Sequence, residues 1–467
     1  MVIEMPEMNH TKIPKRVLSG LLSSISAGVV PRMGAPYIAI GRNDEIEALL
    51  GDLEAVSDGG GSMRFIIGKY GSGKSFLIQL VRGFALEKGF ITADADLSPE
   101  RRICGAKGTG IATYRELIRN LASRSSPDGG AFPQIIARWL SDLQSQTAGE
   151  GLEIGSDAFT RSLTEKIFRT ARSLESQIGG FDFASVITAY YKAYLAGDEE
   201  KKSACLRWLR GEYSTKTEAR NAVGVPLGGI IDDENWYEYI KLLAVFFRHI
   251  GYRGFVVFID ECVNLYKITN RISRENNYEK LLSMFNDTLQ GKAEGLALIF
   301  GGTPQFLEDT RRGLFSYEAL RSRLSDGQFQ KAGYKNLIGP VIRLRRLSDD
   351  ELFALIARIT NLHAQNYNWK PRVTDEDMAA FLKICLERAG ADTLITPREI
   401  IRDYMTVLNI LFQNPETTFS DVVGSGVVSL KHGDNDDDKV IGDDKPETGE
   451  TKKPSVSGGI SFDDIEL

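Results

Sequence analysis

A group of glycines followed by a lysine and a serine is the strongest chemical signal in the sequence. Residues 68–75, GKYGSGKS, match the pattern G-x-x-x-x-G-K-[ST]. Glycines allow the backbone to turn so that successive N–H groups point at phosphate oxygens, and a helix that starts here adds the positive end of its dipole. Lys74 can reach the β- and γ-phosphates of a nucleotide, and the Ser75 hydroxyl can ligate Mg²⁺. We call residues 68–75 the phosphate loop (Walker A). The predicted nucleotide contacts are Gly68, Lys69, Tyr70, Gly71, Ser72, Gly73, Lys74, Ser75 and Phe76.

Two acidic residues follow an apolar run further along the chain. The segment RGFVVFIDE, residues 253–261, predicts a buried strand that ends in Asp260 and Glu261. Beside a phosphate loop, Asp260 is expected to hold Mg²⁺ through water or together with Ser75. Glu261 is expected to orient and deprotonate the attacking water. The alternative is an ordinary acidic turn after a strand. We interpret the pair as a Walker B motif.

Hydrophobic periodicity predicts the elements that must position these residues. Strands are expected at 63–67, 90–95, 254–260 and 296–301, and helices at 43–56 and 75–88. The phosphate loop then lies between a strand and a helix, as its chemistry requires. The pattern predicts an α/β fold with a parallel sheet flanked by helices.

The same pattern divides the chain into five parts. We predict an N-terminal helix and extended lead-in at 1–37, an ATPase core at 38–97 and 251–342, a mostly helical insertion at 98–250, a helical lid at 343–418 and an acidic disordered tail at 419–467. Lid helices are expected near 349–366, 374–389 and 397–412, the first opening on the capping box Ser348–Glu351. The last residues, ISFDDIEL, are either a short binding motif or a solvated tail end.

Composition limits the class of protein. The hydrophobic fraction of 42% is ordinary for a globular protein, and no apolar run approaches the roughly 20 residues that a membrane helix needs. The N-terminus lacks the features of a signal peptide, and four scattered cysteines favour reduced thiols over a zinc site. We therefore expect a cytoplasmic protein without membrane contact. The formal net charge of −6 lies in residues 431–467, so bulk charge neither supports nor excludes DNA as a partner.

Weaker motifs occur in the order found in AAA+ and STAND ATPases, which the chain resembles. Gly41 and Arg42 open the box GRNDEI, which in those families packs against adenine. The segment LALIFGGTP is similar to a sensor 1 strand, with Thr303 as the residue expected to touch the γ-phosphate or the attacking water. SYEALRSRLS offers Arg321 and Arg323 as candidates for an arginine finger. The segment TPRE is similar to a sensor 2 motif, in which Arg398 would contact phosphate from the lid. The resemblance implies an AAA+ module that binds ATP and Mg²⁺.

A closer resemblance covers nearly the whole chain. The strings AGVVPRMGAPYIAIGR, IIGKYGSGKSFLIQL, ADLSPERRICGAKGTGIATYRELIRNLA and TPREIIRDY are similar to those of ATP-binding proteins encoded with BREX and related bacterial anti-phage systems. The resemblance implies a cytoplasmic bacterial ATPase that acts with other defence proteins.

Two functions remain open from the sequence. The first is an ATP-hydrolysing machine that assembles or remodels a defence complex with or without DNA; we expect a homo-oligomer, for which a ring is one arrangement. The second is a STAND-type switch in which slow hydrolysis resets an ATP-held assembly. No winged helix follows the lid, so DNA would contact an oligomer channel or the insertion. There, RWLRGEYSTKTEAR interleaves basic residues with Trp208 and Tyr213, which fits either stacking on nucleic acid or an amphipathic helix end. Helicase motifs for a translocase, and an acceptor pocket for a small-molecule kinase, are not found.

Overall fold

The strands form one parallel sheet. A computed structural model describes residues 13–105, 107–172, 174, 178–326, 336–388 and 396–424. Its strands are β1 (Ser62–Ile67), β2 (Ile91–Asp96), β3 (Phe255–Asp260), β4 (Leu296–Gly302) and β5 (Val341–Arg343). All pair in parallel, in the order β2-β3-β4-β1-β5. The four predicted strands are present, and β5, which the sequence pattern did not predict, adds an edge strand beside β1. The carboxyl ends of β1, β4 and β3 therefore lie side by side.

The described residues also form helices, some packed on the sheet and others in a separate group. They are α1 (Lys15–Ser26), α2 (Asn43–Ser57), α3 (Lys74–Glu87), α4 (Thr109–Arg119), α5 (Phe132–Gly149), α6 (Asp157–Arg172), α7 (Gly180–Ala196), α8 (Glu199–Leu209), α9 (Lys216–Val223), α10 (Trp236–His249), α11 (Val263–Tyr266), α12 (Arg271–Leu289), α13 (Pro304–Glu308), α14 (Glu318–Leu324), α15 (Asp349–Tyr367), α16 (Asp375–Arg388), α17 (Pro397–Gln413) and α18 (Phe419–Gly424). None of these helices combines the length and the apolar character that a membrane crossing demands.

The two faces of the sheet are covered by different helices. Side chains alternate along each strand, so Phe65 and Ile67 face one side while Ile66 faces the other. Helices α2 and α3 pack on the face that carries Ile66. The opposite face packs on α10 and α12 and shares one continuous buried cluster with the insertion helices. The predicted insertion therefore does not have a hydrophobic core of its own, because it closes one face of the sheet.

The lid has a separate hydrophobic core. Capping boxes at Ser348 and Thr396 start α15 and α17, and the first was predicted. Helix α1 packs against α15 and α17, so the N-terminal helix is part of the lid. Helix α18 also joins this core through Phe419 and Val423, which corrects the predicted start of the tail at 419. The rest of the predicted tail, with its ISFDDIEL end, lies outside the described residues.

The lead-in between α1 and α2 also differs from its prediction as extended chain. It contains a short 3₁₀ helix at Ala35–Ile38, which Gly34 starts in the left-handed region at φ 78°. Ala35 packs into the core beside α2 and α3, whereas Ile38 packs into the lid core. This turn lets four residues join two hydrophobic cores.

Candidate active site

The phosphate loop needs glycine at three positions for two reasons. Gly71 and Gly73 have φ values of 73° and 91°, which residues with a Cβ rarely adopt. Gly68 is required by space, because a Cβ there would lie 2.3 Å from the Oγ of Ser72. That Oγ is buried and has no hydrogen-bond partner among the described residues. A tight glycine turn with an unsatisfied inward hydroxyl fits a loop that closes around phosphate oxygens.

Lys74 begins α3 and lies over the loop. Its Nζ donates to the carbonyl oxygens of Gly68 at 3.0 Å and Lys69 at 3.1 Å. Burial lowers the pKa of this ammonium, the charges of Asp260 and Glu261 oppose that shift, and the charge of Arg398 adds to it. The lysine therefore lies within electrostatic range of Asp260, Glu261 and Arg398.

Ser75 and Asp260 are in direct contact. The Ser75 hydroxyl donates to Asp260 Oδ2 at 2.6 Å, and the backbone N–H of Glu261 donates to Oδ1 at 2.8 Å. The carboxylate is 8% exposed and has room because residue 301 on β4 is glycine, whose Cβ would lie 2.1 Å from Oδ1. A hydroxyl and a carboxylate are oxygen donors that Mg²⁺ prefers. These two side chains therefore fit the predicted metal-binding role.

Glu261 has an unusual backbone conformation. Its φ of 57° is left-handed, which is uncommon for a residue with a side chain and costs roughly 1 kcal/mol or more. Desolvation first, then the charges of Asp260 and Asp96, raise the pKa of its carboxyl above the ordinary value. Strain together with a raised pKa is typical of a side chain held for proton transfer.

Asp96 is a neighbouring acid that sequence reasoning missed. It ends β2, is register partner to Asp260, and is exposed at the same edge of the sheet. Although the residue is exposed overall, partial desolvation of its carboxyl and then the charge of Asp260 raise its pKa. In the sequence, only the acidic end of the strand ITADAD pointed to Asp96. The pairing of β2 with β3 is what places this acid beside Asp260.

Arg42 donates a hydrogen bond to the backbone of the phosphate loop. The guanidinium is 4% exposed, and Nη2 donates to the backbone oxygens of Ser72 at 3.0 Å and Arg345 at 2.7 Å. Its Nη1 lies 3.5 Å from Glu45. Gly41 has a φ of 74° and abuts the lid, since its Cβ would lie 2.6 Å from Cδ of Glu351. The box therefore links the loop to the lid, and its contact with adenine stays a prediction.

The lid also contacts the top of the loop. Arg398 donates to the hydroxyl of Tyr70 at 3.5 Å, and its guanidinium lies 5.8 Å from the Tyr70 ring centroid. Next to it, a Cβ on Gly71 would lie 2.3 Å from the methyl group of Thr396. Phe76 packs partly buried against both the lid core and the core around α3. Sequence reasoning selected Arg398, and the structure places it at the loop.

Thr303 lies at the end of β4, between β1 and β3. Its hydroxyl oxygen accepts from the backbone N–H of Phe306 at 3.3 Å and so caps α13. The hydroxyl proton is not used by that bond and can still be donated. The sheet order thus brings Thr303 to the correct edge, while its role as a sensor stays a prediction.

The two candidate finger arginines do not approach the phosphate loop through any contact that the structure describes. Arg321 is exposed on α14 and lies 3.8 Å from Glu318 of the same helix. Arg323 is also exposed and donates to the backbone oxygen of Ala319 at 2.7 Å. Both arginines therefore face solvent from α14.

The aromatic rings of the basic insertion segment are not available for stacking on a nucleic acid. Trp208 is 1% and Tyr213 2% exposed, and their polar atoms donate to Gly229 and Ala204. Arg207 stacks on Tyr213 at 4.5 Å and pairs with acidic neighbours. The stacking hypothesis is therefore wrong for these rings, and the amphipathic helix end accounts for the pattern. The other basic residues of this segment are Arg210, Lys216 and Arg220.

Comparison with known proteins agrees with this geometry. The profile of the family described as BREX system ATP-binding protein BrxC/D matches residues 13–426. A search among curated proteins gives no match. The family match spans both the sheet with its phosphate loop and the lid that contacts it. The chain belongs to the BREX system ATP-binding protein BrxC/D family.

Proposed function

We propose that this protein is an AAA+ ATPase that hydrolyses ATP to ADP and phosphate and thereby powers or regulates the assembly of an anti-phage defence complex. The observation that carries the proposal is the contact of Ser75 with Asp260 at 2.6 Å, beside Lys74 and Glu261. These residues come from two distant parts of the chain and converge where β1 and β3 end. Each has the chemistry that phosphoryl transfer to water needs.

In the proposed reaction, a water oxygen bonds to the γ-phosphorus and the bond to the ADP oxygen breaks. Glu261 accepts the water proton, a role that its raised pKa favours. Lys74 neutralises charge on the β- and γ-phosphates, and the loop N–H groups bind their oxygens. Ser75 and Asp260 would hold Mg²⁺, which supplies charge stabilisation when bound. Arg398 would contact phosphate from the lid.

We further propose that activity requires a homo-oligomer. Arg321 and Arg323 face solvent on α14. Either of them could therefore complete the ATP site of a neighbouring copy. A ring would let each subunit supply its arginine to the next. Other defence proteins are the proposed targets, and DNA is a further proposed partner that an oligomer channel would accommodate.

A STAND-type switch is the second candidate. The observation that favours it is the close approach of the lid to the phosphate loop at Gly71, which meets Thr396, and to the GRNDEI box at Gly41, which meets Glu351. Nucleotide binding at such a loop would be linked to the position of the lid even without fast turnover. A slow single turnover that changes assembly size would support the switch over the machine.

The test compares ATP binding and hydrolysis in matched variants. Lys74→Ala should lose both, because the phosphates lose their main cation. Glu261→Gln should still bind ATP and lose hydrolysis by about 100-fold or more, because the proton acceptor is removed. Lys192→Ala and Glu200→Gln, at exposed positions of the insertion, are the controls. Equal binding and hydrolysis by Lys74→Ala and the unaltered protein would refute the site.

A further inference from the structure

Tyr70 is an exposed aromatic residue at a position that the phosphate-loop pattern leaves free. Its side chain is 61% exposed, so burial of the ring does not explain the aromatic residue. The guanidinium of Arg398 lies 5.8 Å from its ring centroid, within the range of a cation–π contact. The hydroxyl accepts a longer hydrogen bond from the same arginine at 3.5 Å. The ring is therefore the main described partner of this arginine.

The backbone next to Tyr70 brings the two side chains together. Gly71 lies directly under the start of α17, where its Cβ would meet the Thr396 methyl group at 2.3 Å. Thr396 is the N-cap residue of α17, and Arg398 lies in the first turn of that helix. Adjacent loop residues thus contact the cap and the first turn of one lid helix. A side chain at position 71 would clash with Thr396, the residue that caps this helix.

Arg398 is held close to Lys74, the lysine of the phosphate loop. Its charge reaches Lys74, whose pKa is lowered mainly by burial and further by this guanidinium. A free arginine side chain loses rotamer entropy when it is fixed, and a contact made beforehand reduces that loss.

We propose that Tyr70 is a positioning residue for Arg398, its ring holding the guanidinium at the mouth of the phosphate site so that the lid is ready to bind ATP. The inference rests on the proposed function, since it assumes that Arg398 contacts phosphate. It assigns a role to a loop residue that the phosphate-loop pattern itself leaves unassigned.

The experiment measures ATP affinity by calorimetry with Mg²⁺ present, in the Glu261→Gln background so that binding is read without turnover. Tyr70→Ala should raise the dissociation constant by about two- to fivefold, the range of an exposed cation–π contact. Arg398→Ala should raise it by about tenfold or more, as loss of a hydrogen bond to a charged group does. The double variant should be no weaker than Arg398→Ala alone. Tyr70→Phe keeps the ring, so Arg398→Ala should weaken ATP binding as much in that variant as in the parent.

Arg402→Ala is the matched control, because Arg402 is one turn further along α17 and pairs with Asp403 at 3.5 Å. Its effect should add to that of Tyr70→Ala. Two results would overturn this inference alone. One is that the effects of Tyr70→Ala and Arg398→Ala on ATP affinity are additive. The other is that Arg398→Ala weakens ATP binding less in the Tyr70→Phe variant than in the parent. If Lys74→Ala in the same background binds ATP as tightly as its parent, both this inference and the proposed function are overturned.

Discussion

Replacing Gly301 with alanine should disable the site without changing any residue that is expected to touch ATP. The new Cβ would lie 2.1 Å from Asp260 Oδ1 and 3.2 Å from Ile78 Cδ1, so it cannot be accommodated as the chain stands. The carboxylate must withdraw by about 1 Å, and misplacement on that scale costs about 100-fold in rate. That factor corresponds to about 2.7 kcal/mol of lost transition-state stabilisation. Oδ1 is the oxygen that accepts from the Glu261 N–H, so that hydrogen bond would be strained at the same time.

The assay is steady-state ATP hydrolysis over a range of Mg²⁺ concentrations, with urea unfolding to measure folded protein. Gly301→Ala should need more Mg²⁺ and turn over about 100-fold more slowly. Overpacking should also lower the free energy of unfolding by about 1–3 kcal/mol. Gly302→Ala is the matched control, since its Cβ would meet the Phe306 ring at 2.5 Å instead of Asp260. Gly302→Ala should lower the free energy of unfolding by a similar amount, but its hydrolysis rate per folded molecule should fall much less than that of Gly301→Ala. Equal rates and Mg²⁺ dependence in Gly301→Ala and the unaltered protein would refute the proposed role of Asp260.

Two further predictions concern the arginine helix and the lid. Arg323→Ala should lose hydrolysis, and mixing it with Glu261→Gln subunits should restore part of it if the finger acts between copies; absence of restoration at every mixing ratio would contradict action in trans. His363 is fully buried; its Nε2–H donates to Asn409 Oδ1 (3.1 Å), its Nδ1 accepts from Trp369 (2.9 Å), and burial lowers its pKa below the ordinary value. Its neutral form thus stabilises the fold fully above pH 6.5, and this contribution is lost as pH falls through the lowered folded-state pKa. Urea unfolding between about pH 5 and 8 should therefore show a weaker pH dependence in His363→Gln, and identical slopes would contradict the assignment.

Some of the site follows from local sequence because its determinants are local. Glycine at 71 and 73 is required by backbone angles, and a run of apolar residues before Gly68 and before Asp260 predicts a strand from side-chain preference alone. Helix starts at Ser348 and Thr396 depend on hydrogen bonds within four residues, which is why the lid helices were predicted close to their observed bounds. Sequence order then placed Thr303 and Arg398 as candidates.

Other features depend on contacts between distant segments, which no local pattern encodes. Strand β5 has three residues and is stable only because it pairs with β1. Asp96 joins the acidic edge through the pairing of β2 with β3. Trp208 was an aromatic residue among arginines in the sequence, and the packing of the insertion buries it.

The sequence by itself predicted a glycine turn at 68–75, a strand that ends in Asp260 and Glu261, and the helices that begin at 349 and 397, since each depends on neighbouring residues. The tertiary structure decided that α1 completes the lid, that the insertion closes a face of the sheet, and that Arg42 braces the loop through Ser72 and Arg345. These arrangements bury apolar side chains and give the buried Arg42 guanidinium hydrogen-bond acceptors. Burial and charge pairing of this kind depend on contacts between distant segments and so are visible only in the fold.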